Sequence, residues 1–307
     1  MADRPTEPEI GVGPHCHVPF DCGFCNYCNR ASPRPEYPVD WLPHLSSTQR
    51  RKLAELGVND LHGVPGELLN DKQRLVKKHT LNKTVFFDAA GAAADLARHG
   101  FPTYFLDFET IQFAVPIWKG TRPYQQIPFQ FSLHTILEHG QLAQRAFLDL
   151  SGNDSSESFA KALIAACGLN GPIFVYNAGF ETARIGELAE RYPDFARPLL
   201  DVNARVVDLF PVARSRYYHP SQQGSWSIKA VLPAAVPGLS YEALAGVKDG
   251  ETAMAAYCEA IRPGTTEERK GEIEHQLLAY CRLDTFAMVR LWQFFNGRNE
   301  PALENIL

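Results

Sequence analysis

Residues 103–110, TYFLDFET, constrain the fold of this 307-residue chain more than any other segment. The run is apolar and aromatic, which predicts a strand, and it ends in two acids, Asp107 and Glu109. Residues i and i+2 of a strand point to the same face, so the two carboxylates project together beside an apolar core. Like charges held there are costly unless cations neutralise them, and an oxygen-rich cluster of this kind suits Mg2+ or Mn2+. Taken alone, such a pair is more often a solvated strand end.

Two later segments change that balance. PIFVYNAGFE (172–181) is a second apolar strand, ending in Asn177, with Glu181 at the start of the following helix. YCRLD carries Tyr280 and Asp284 four residues apart on a predicted helix, a spacing that puts phenol and carboxylate on one face. Three separated segments thus each present acidic or polar groups at the edge of an element.

The pattern between them predicts the fold class. FFDAAGAAADLARHG (86–99 and Gly100) reads as a helix, broken by Gly100-Phe101-Pro102. IPFQFSLHTILEHGQLAQRAFLDL reads as a hairpin turning at His139-Gly140, SSESFAKALIAACG as an amphipathic helix, and AGFETARIGELAERY as another. VVDLFPVAR, SWSIKAVLPA and a helix around HQLLAYCRLDTFAMVRLWQFF complete the region. A hairpin followed by strands alternating with helices predicts an α/β or α+β sheet covered by helices. Upstream, TQRRKLAELG is a short helix ended by Gly57, and NDKQRLVKKHT is a second. The pair is compatible with a helix-hairpin-helix unit or with two ordinary amphipathic helices. Residues 1–40 are rich in Pro, Cys and His without periodicity, so they need a metal or a host surface to order them. The predicted organisation is a Cys-rich segment (1–40), a small helical region (41–100) and an acid-bearing α/β domain (101–297).

With these motifs the chain resembles the tyrosine subgroup of the DEDD 3′→5′ exonucleases. The first motif is the DxE of YFLDFET, the second Asn177-Ala-Gly-Phe180-Glu181, and the third Tyr280-x-x-x-Asp284. The other subgroup has His five residues before the last Asp, where this chain has Ala279. The resemblance covers about residues 101–295 and implies an RNase H-like mixed sheet flanked by helices. It implies two Mg2+ or Mn2+ ions, with Asp107 bridging them and Glu109, Glu181 and Asp284 completing the shells. Glu181 stands where the superfamily usually has Asp. Tyr280 would orient the attacking water, since a phenol near pKa 10 is a poor base at neutral pH. Lys229, in the Ser227-x-Lys229 element of SWSIKAVLP, would either contact phosphate or be a surface lysine without a role, and Asn177 would face the substrate. Phe108 and Phe180 would either stack on a terminal base or pack in the core. Asp208, in VVDLFPVAR, is a neighbouring candidate acid, or else a strand-end residue that orients a neighbour.

FLDFET, PYQQIPFQFSLH, the DLFPV…YYHP run, GSWSIKAVLP and LLAYCRLDTFAMV also resemble an uncharacterised bacterial family whose members often join a RecB-type nuclease module to a DEDD domain. PYQQIPFQFSLH is unusually polar and aromatic for a hairpin, as a substrate-groove lining would be. GPHCHVPFDCGFCNYC is similar to the C-terminal end of RecB-type nucleases, where cysteines hold an iron–sulfur cluster. Cys16, Cys22 and Cys28 fit that spacing, with Cys25 an additional or alternative ligand; the acidic motifs of such a module are missing from this sequence, so the nuclease module is expected to be absent or truncated. Four thiolates equally suit tetrahedral Zn2+ or a [4Fe–4S] cluster, and free reduced thiols are the third reading.

The net charge of −5 excludes a protein that coats nucleic acid through bulk charge, though not a nuclease whose acids bind cations. No 18-residue apolar run and no signal-peptide pattern is present, so a cytoplasmic protein without membrane contact is predicted. The expectation is therefore a metal-dependent 3′→5′ exonuclease acting on single-stranded 3′ ends of DNA or RNA. Its rivals are a catalytically impaired nucleic-acid-binding or scaffold module, with Glu181 as the lesion, and a metal-thiolate module that recruits partners through residues 16–28.

Overall fold

The structure, a computed structural model, describes residue 16, residues 22–28 and residues 35–298, the side chains of Cys25 and Asn26 excepted. The chain divides into two compact units, Met1–Lys83 and Thr84–Leu307.

In the first unit, α1 (Cys25–Cys28) is a single turn, and α2 (Ser47–Glu55) and α3 (Asp71–Leu81) are the two predicted helices. Each of the latter starts in a capping box, Ser46 with Gln49 and Asn70 with Gln73. Gly57, at φ +67, follows α2 in the left-handed conformation that a helix C-terminus favours. Two 3-10 turns, Leu61–Gly63 and Gly66–Leu68, lie between the helices. Leu42, Leu53, Leu61, Val64 and Leu69 form the unit's own core. Buried Gln73 ties it together, donating from Nε2 to the Pro43 carbonyl at 3.0 Å and accepting from Gln49 Nε2 at 2.9 Å. Much of the segment 1–40 that carries the cysteine cluster lies outside the described residues. Cys16 is buried, Cys22 exposed and Cys28 half-buried, all as free thiols, and the Cys25 side chain is not described.

The second unit holds a mixed five-stranded sheet with helices on both faces. Its elements are β1 (Phe86–Phe87), α4 (Ala89–Leu96), β2 (Thr103–Ile111), β3 (Ile127–Ile136), β4 (Leu142–Leu148), α5 (Ser156–Cys167), β5 (Ile173–Val175), α6 (Gly179–Arg191), α7 (Pro193–Asn203), β6 (Val206–Asp208), α8 (Phe210–Arg216), β7 (Tyr217–Tyr218), α9 (Ile228–Ala235), α10 (Gly250–Ala260) and α11 (Glu267–Asn296). The large sheet runs β4-β3-β2-β5-β6, with β4, β3 and β2 antiparallel and β5 and β6 parallel to β2. A small ribbon pairs β1 with β7. The hairpin between β3 and β4 turns at Gly140, φ +78, at the predicted position. Beside β5, Gly171 sits at φ +88, where an added Cβ would come 2.0 Å from the Pro102 carbonyl; only glycine lets the chain pass β2 this closely.

Residues 84–100 were predicted to belong with the upstream helices, but they belong to the sheet unit. Phe86 and Phe87 form a strand rather than the start of a helix. Arg216 also binds Asp88 at 2.6 Å and Asp95 at 2.8 Å, fastening α4 to α8. Helices α7 and α10 carried no recognised signal. No helix of the described residues is long and apolar enough to cross a membrane.

Alternation along β2 sorts the core. Tyr104, Leu106 and Phe108 enter an apolar cluster with Phe131, Phe159 and Leu163. Phe105, Asp107 and Glu109 take the other face, which α11 covers: Phe105 meets Trp292 edge-on at 5.9 Å. On that face the partners of β2 are polar, with Asp107 opposite Ser132 and Glu109 opposite Gln130. They also reach α11, although the Gln130 Oε1 has no hydrogen-bond partner among the described residues. Ser132 Oγ and His134 Nδ1 each lie 2.8 Å from Thr285 Oγ1, and Gln130 Nε2 donates to the Leu277 carbonyl at 2.8 Å. α11 is therefore seated on the sheet by fixed hydrogen bonds as well as by apolar packing.

A buried carboxylate cluster as the candidate metal centre

Three acids meet between β2 and α11. Asp107, Glu109 and Asp284 each offer one carboxylate oxygen, and the three atoms lie within 4.8 Å of one another. Strand alternation supplies the first two, and one helical turn puts Asp284 beside Tyr280. A β-bulge follows Glu109, where the register slips between Glu109 and Thr110, and bends the strand end at the cluster. Glu109 and Asp284 are buried and Asp107 is half-buried.

Such a cluster resists ionisation. Desolvation and then the Asp284 charge push Glu109 up to about 8. Asp284 rises to about 6 through desolvation, against the pull of the Tyr241 hydrogen bond and the Lys229 charge. Asp107 stands well above the usual carboxylate range, through burial first and then through the charges of Asp284, Glu109 and Glu181. Glu181, in the first turn of α6, is buried and pushed up to about 7 by desolvation. It stands beside the three-oxygen group rather than within it, and its Oε2 has no hydrogen-bond partner among the described residues.

Two phenols converge on Asp284. Tyr241, in a 3-10 turn (Tyr241–Ala243), donates its hydroxyl to Asp284 Oδ1, and Tyr280 also hydrogen-bonds this carboxylate. Burial pushes both phenols upward, so both remain protonated donors. Lys229 Nζ lies 5.3 Å from the Tyr241 ring and 5.2 Å from the Tyr280 ring, and donates to the Lys248 carbonyl at 2.7 Å. Its charge lowers Glu109 and Asp284 from where burial alone would hold them. Buried Cys281 holds its sulfur 3.7 Å from Asp107 Oδ2, a weak donor contact.

The other predicted residues stand further out. Asn177 is exposed, in the left-handed conformation at φ +74, and its N–H donates to Asp208 Oδ1 at 2.9 Å. The same oxygen accepts the Phe210 N–H at 2.9 Å. Asp208 therefore fixes the turns that follow β5 and β6, the orienting role of its two alternatives. Of its two expected roles Phe108 takes core packing and not base stacking: it points away from the acids and packs edge-on against Phe159 at 5.0 Å, leaving no face for a base. Phe180 is packed against the same core, with the Arg184 guanidinium 5.6 Å above its ring.

Tyr241 and Cys281 were not foreseen. Cys281 follows Tyr280 directly and carries no motif of its own. Tyr241 reaches an acid 43 residues away from a segment without periodicity, so local sequence holds no signal for it.

The donor set fits a hard divalent cation. It is all oxygen, the acids are held above their ordinary range, and a buried carboxylate oxygen lacks a partner. Residues 104–227 match a family model described as a domain of unknown function (DUF2779). The match takes in Asp107, Glu109 and Glu181 and stops short of Lys229, Tyr280 and Asp284. No curated protein and no solved structure matches the chain.

Proposed function

We propose that the second unit is a metal-dependent 3′→5′ exonuclease of the DEDD type that hydrolyses phosphodiester bonds at single-stranded ends of DNA or RNA. The observation that carries this reading is the approach, within 4.8 Å, of three carboxylates contributed by a strand and by a helix far along the chain. A mixed sheet flanked by helices agrees with the RNase H-like fold that the reading requires.

Asp107, Glu109 and Asp284, with Glu181 behind them, would hold two Mg2+ or Mn2+ ions. Such ions supply charge for the phosphate oxygens and lower the pKa of a bound water. Tyr280 is protonated and engaged with Asp284, so it orients groups in the site and does not act as the base. Lys229, fixed against two rings and a carbonyl, brings a positive charge to the edge of the cluster, where a non-bridging phosphate oxygen would need one. The test is digestion of a 5′-labelled single-stranded oligonucleotide with Mn2+. Products shortened stepwise from the 3′ end and abolished by EDTA are expected. Internal cuts, or cutting that ignores EDTA, would rule the proposal out.

A second reading is a binding module without catalysis, and it rests on Glu181 lying outside the three-oxygen group. Tight oligonucleotide binding with no cleavage in Mn2+ would favour it.

Tyr241 belongs to this reading as a positioning residue that holds the Asp284 carboxylate in one orientation. Tyr241→Phe is expected to weaken Mn2+ binding roughly 10- to 100-fold, the usual cost of losing an outer partner of a metal ligand. Paramagnetic resonance of free Mn2+ in a titration measures this without any turnover. Unchanged affinity would reduce Tyr241 to a packing residue.

A further inference from the structure

The segment 112–126, between β2 and β3, exposes apolar side chains from a firmly anchored loop. Val115, Ile117 and Tyr124 are 79%, 54% and 67% exposed. In the same segment, Trp118 Nε1 donates to the Gly152 carbonyl at 2.9 Å, and Phe113 meets the Trp118 ring edge-on at 5.5 Å. The Tyr124 N–H donates to the Phe113 carbonyl at 2.8 Å, and Arg122 reaches Glu187 of α6 at 3.4 Å. Tyr124 sits at φ +56, a conformation that costs an aromatic residue energy, so the surrounding bonds hold its backbone against an intrinsic preference while its ring stays exposed.

Position and charge say what the ring is held out for. Phe113 lies four residues beyond Glu109, at most about 14 Å along a fully extended chain. Tyr124, bonded to Phe113, is therefore within the first few nucleotides of a strand whose end lies at the acids. Lys119 and the largely exposed Arg122, which pairs with Glu187, precede Tyr124 in the same loop, and this basic charge suits a polyanion. We infer that this loop is the strand-binding platform: Tyr124 stacks on a base upstream of the scissile phosphate, and Lys119 and Arg122 meet the backbone. The substrate class is then single-stranded nucleic acid read without base specificity, because every base has a face to stack. This inference rests on the exonuclease reading.

The test is steady-state digestion of a single-stranded oligonucleotide with Mn2+, together with the fluorescence of 2-aminopurine placed near its 3′ end. Tyr124→Ala should raise KM roughly 5- to 100-fold and relieve the 2-aminopurine quenching, while Tyr124→Phe restores both. Tyr124→Gly accepts the left-handed backbone without strain, so it should melt no lower than the unmutated protein and still show the raised KM. An unmutated protein that digests the oligonucleotide, with Tyr124→Ala matching its KM and quenching, overturns the platform alone. An unmutated protein that neither binds nor digests it overturns the platform and the exonuclease reading together.

Discussion

Asp107→Asn and Asp284→Asn variants are expected to lose Mn2+-dependent digestion by about 10^3-fold or more and yet to melt higher than the unmutated protein in EDTA. The loss follows from removing a ligand oxygen rather than an outer partner, whose loss typically costs about 10- to 100-fold. The gain follows from the electrostatics of the empty cluster. Asp107 is held above its ordinary range by burial and by three neighbouring acids, so each acid makes the others costlier to ionise. Asparagine keeps the shape of the side chain and carries no charge. Relief of about 1–3 kcal/mol, the scale of the cost of a poorly compensated buried polar group, corresponds to roughly 2–12 °C for a unit of this size. Saturating Mn2+ should reverse the order, since only the unmutated site gains the stability that a ligand confers, about 2.7 kcal/mol at a hundred times Kd. Thermal melts with EDTA and with Mn2+, run beside the digestion assay, give all three results. Variants that melt below the unmutated protein in EDTA would mean that the acids are structural partners and not a vacant charge cluster.

The acids were legible because each obeys a local rule. Strand alternation put Asp107 and Glu109 on one face, and the four-residue helical spacing put Tyr280 with Asp284. The same alternation decides between the two roles open to Phe108, which lies between the two acids in sequence and must therefore point into the opposite layer, where it meets Phe159. What escaped the sequence is held by contacts between distant segments. Residues 84–100 join the sheet unit through Arg216, whose partners Asp88 and Asp95 are 128 and 121 residues away. Tyr241 finds Asp284 in the same manner, across a loop with no periodic pattern. Hydrophobic periodicity reports which face of an element is buried and carries no information about which distant polar group will cap it.

In metal-free buffer the protein is expected to lose stability as the pH rises from about 6.5 to about 8. Glu109 is raised to about 8 and Glu181 to about 7, from an ordinary value of 4.5. A raised acid stays protonated in the folded state while the unfolded chain has already ionised. The folded state then binds more protons, and stability falls with pH until the folded pKa is passed. Their contribution is complete below about pH 4.5 and gone above about 8. Below 6.5 another group opposes the trend. His134 is lowered to about 4 by burial, so the unfolded state binds the extra proton there and stability rises with pH through that range. The two slopes cancel in part between about 4.5 and 6.5, and the cluster alone governs the window above. At 1.36 kcal/mol per unit, Glu109 and Glu181 together should cost about 2 kcal/mol from pH 6.5 to 8, a fall of roughly 4–8 °C in melting temperature. Divalent cations turn the slope around, because carboxylates must be deprotonated to bind them and metal stabilisation grows as protons leave. Melting curves at several pH values, in EDTA and in Mn2+, should therefore diverge as pH rises, the first falling while the second climbs. Parallel curves would mean that the protons shed across this window do not come from groups that bind the metal.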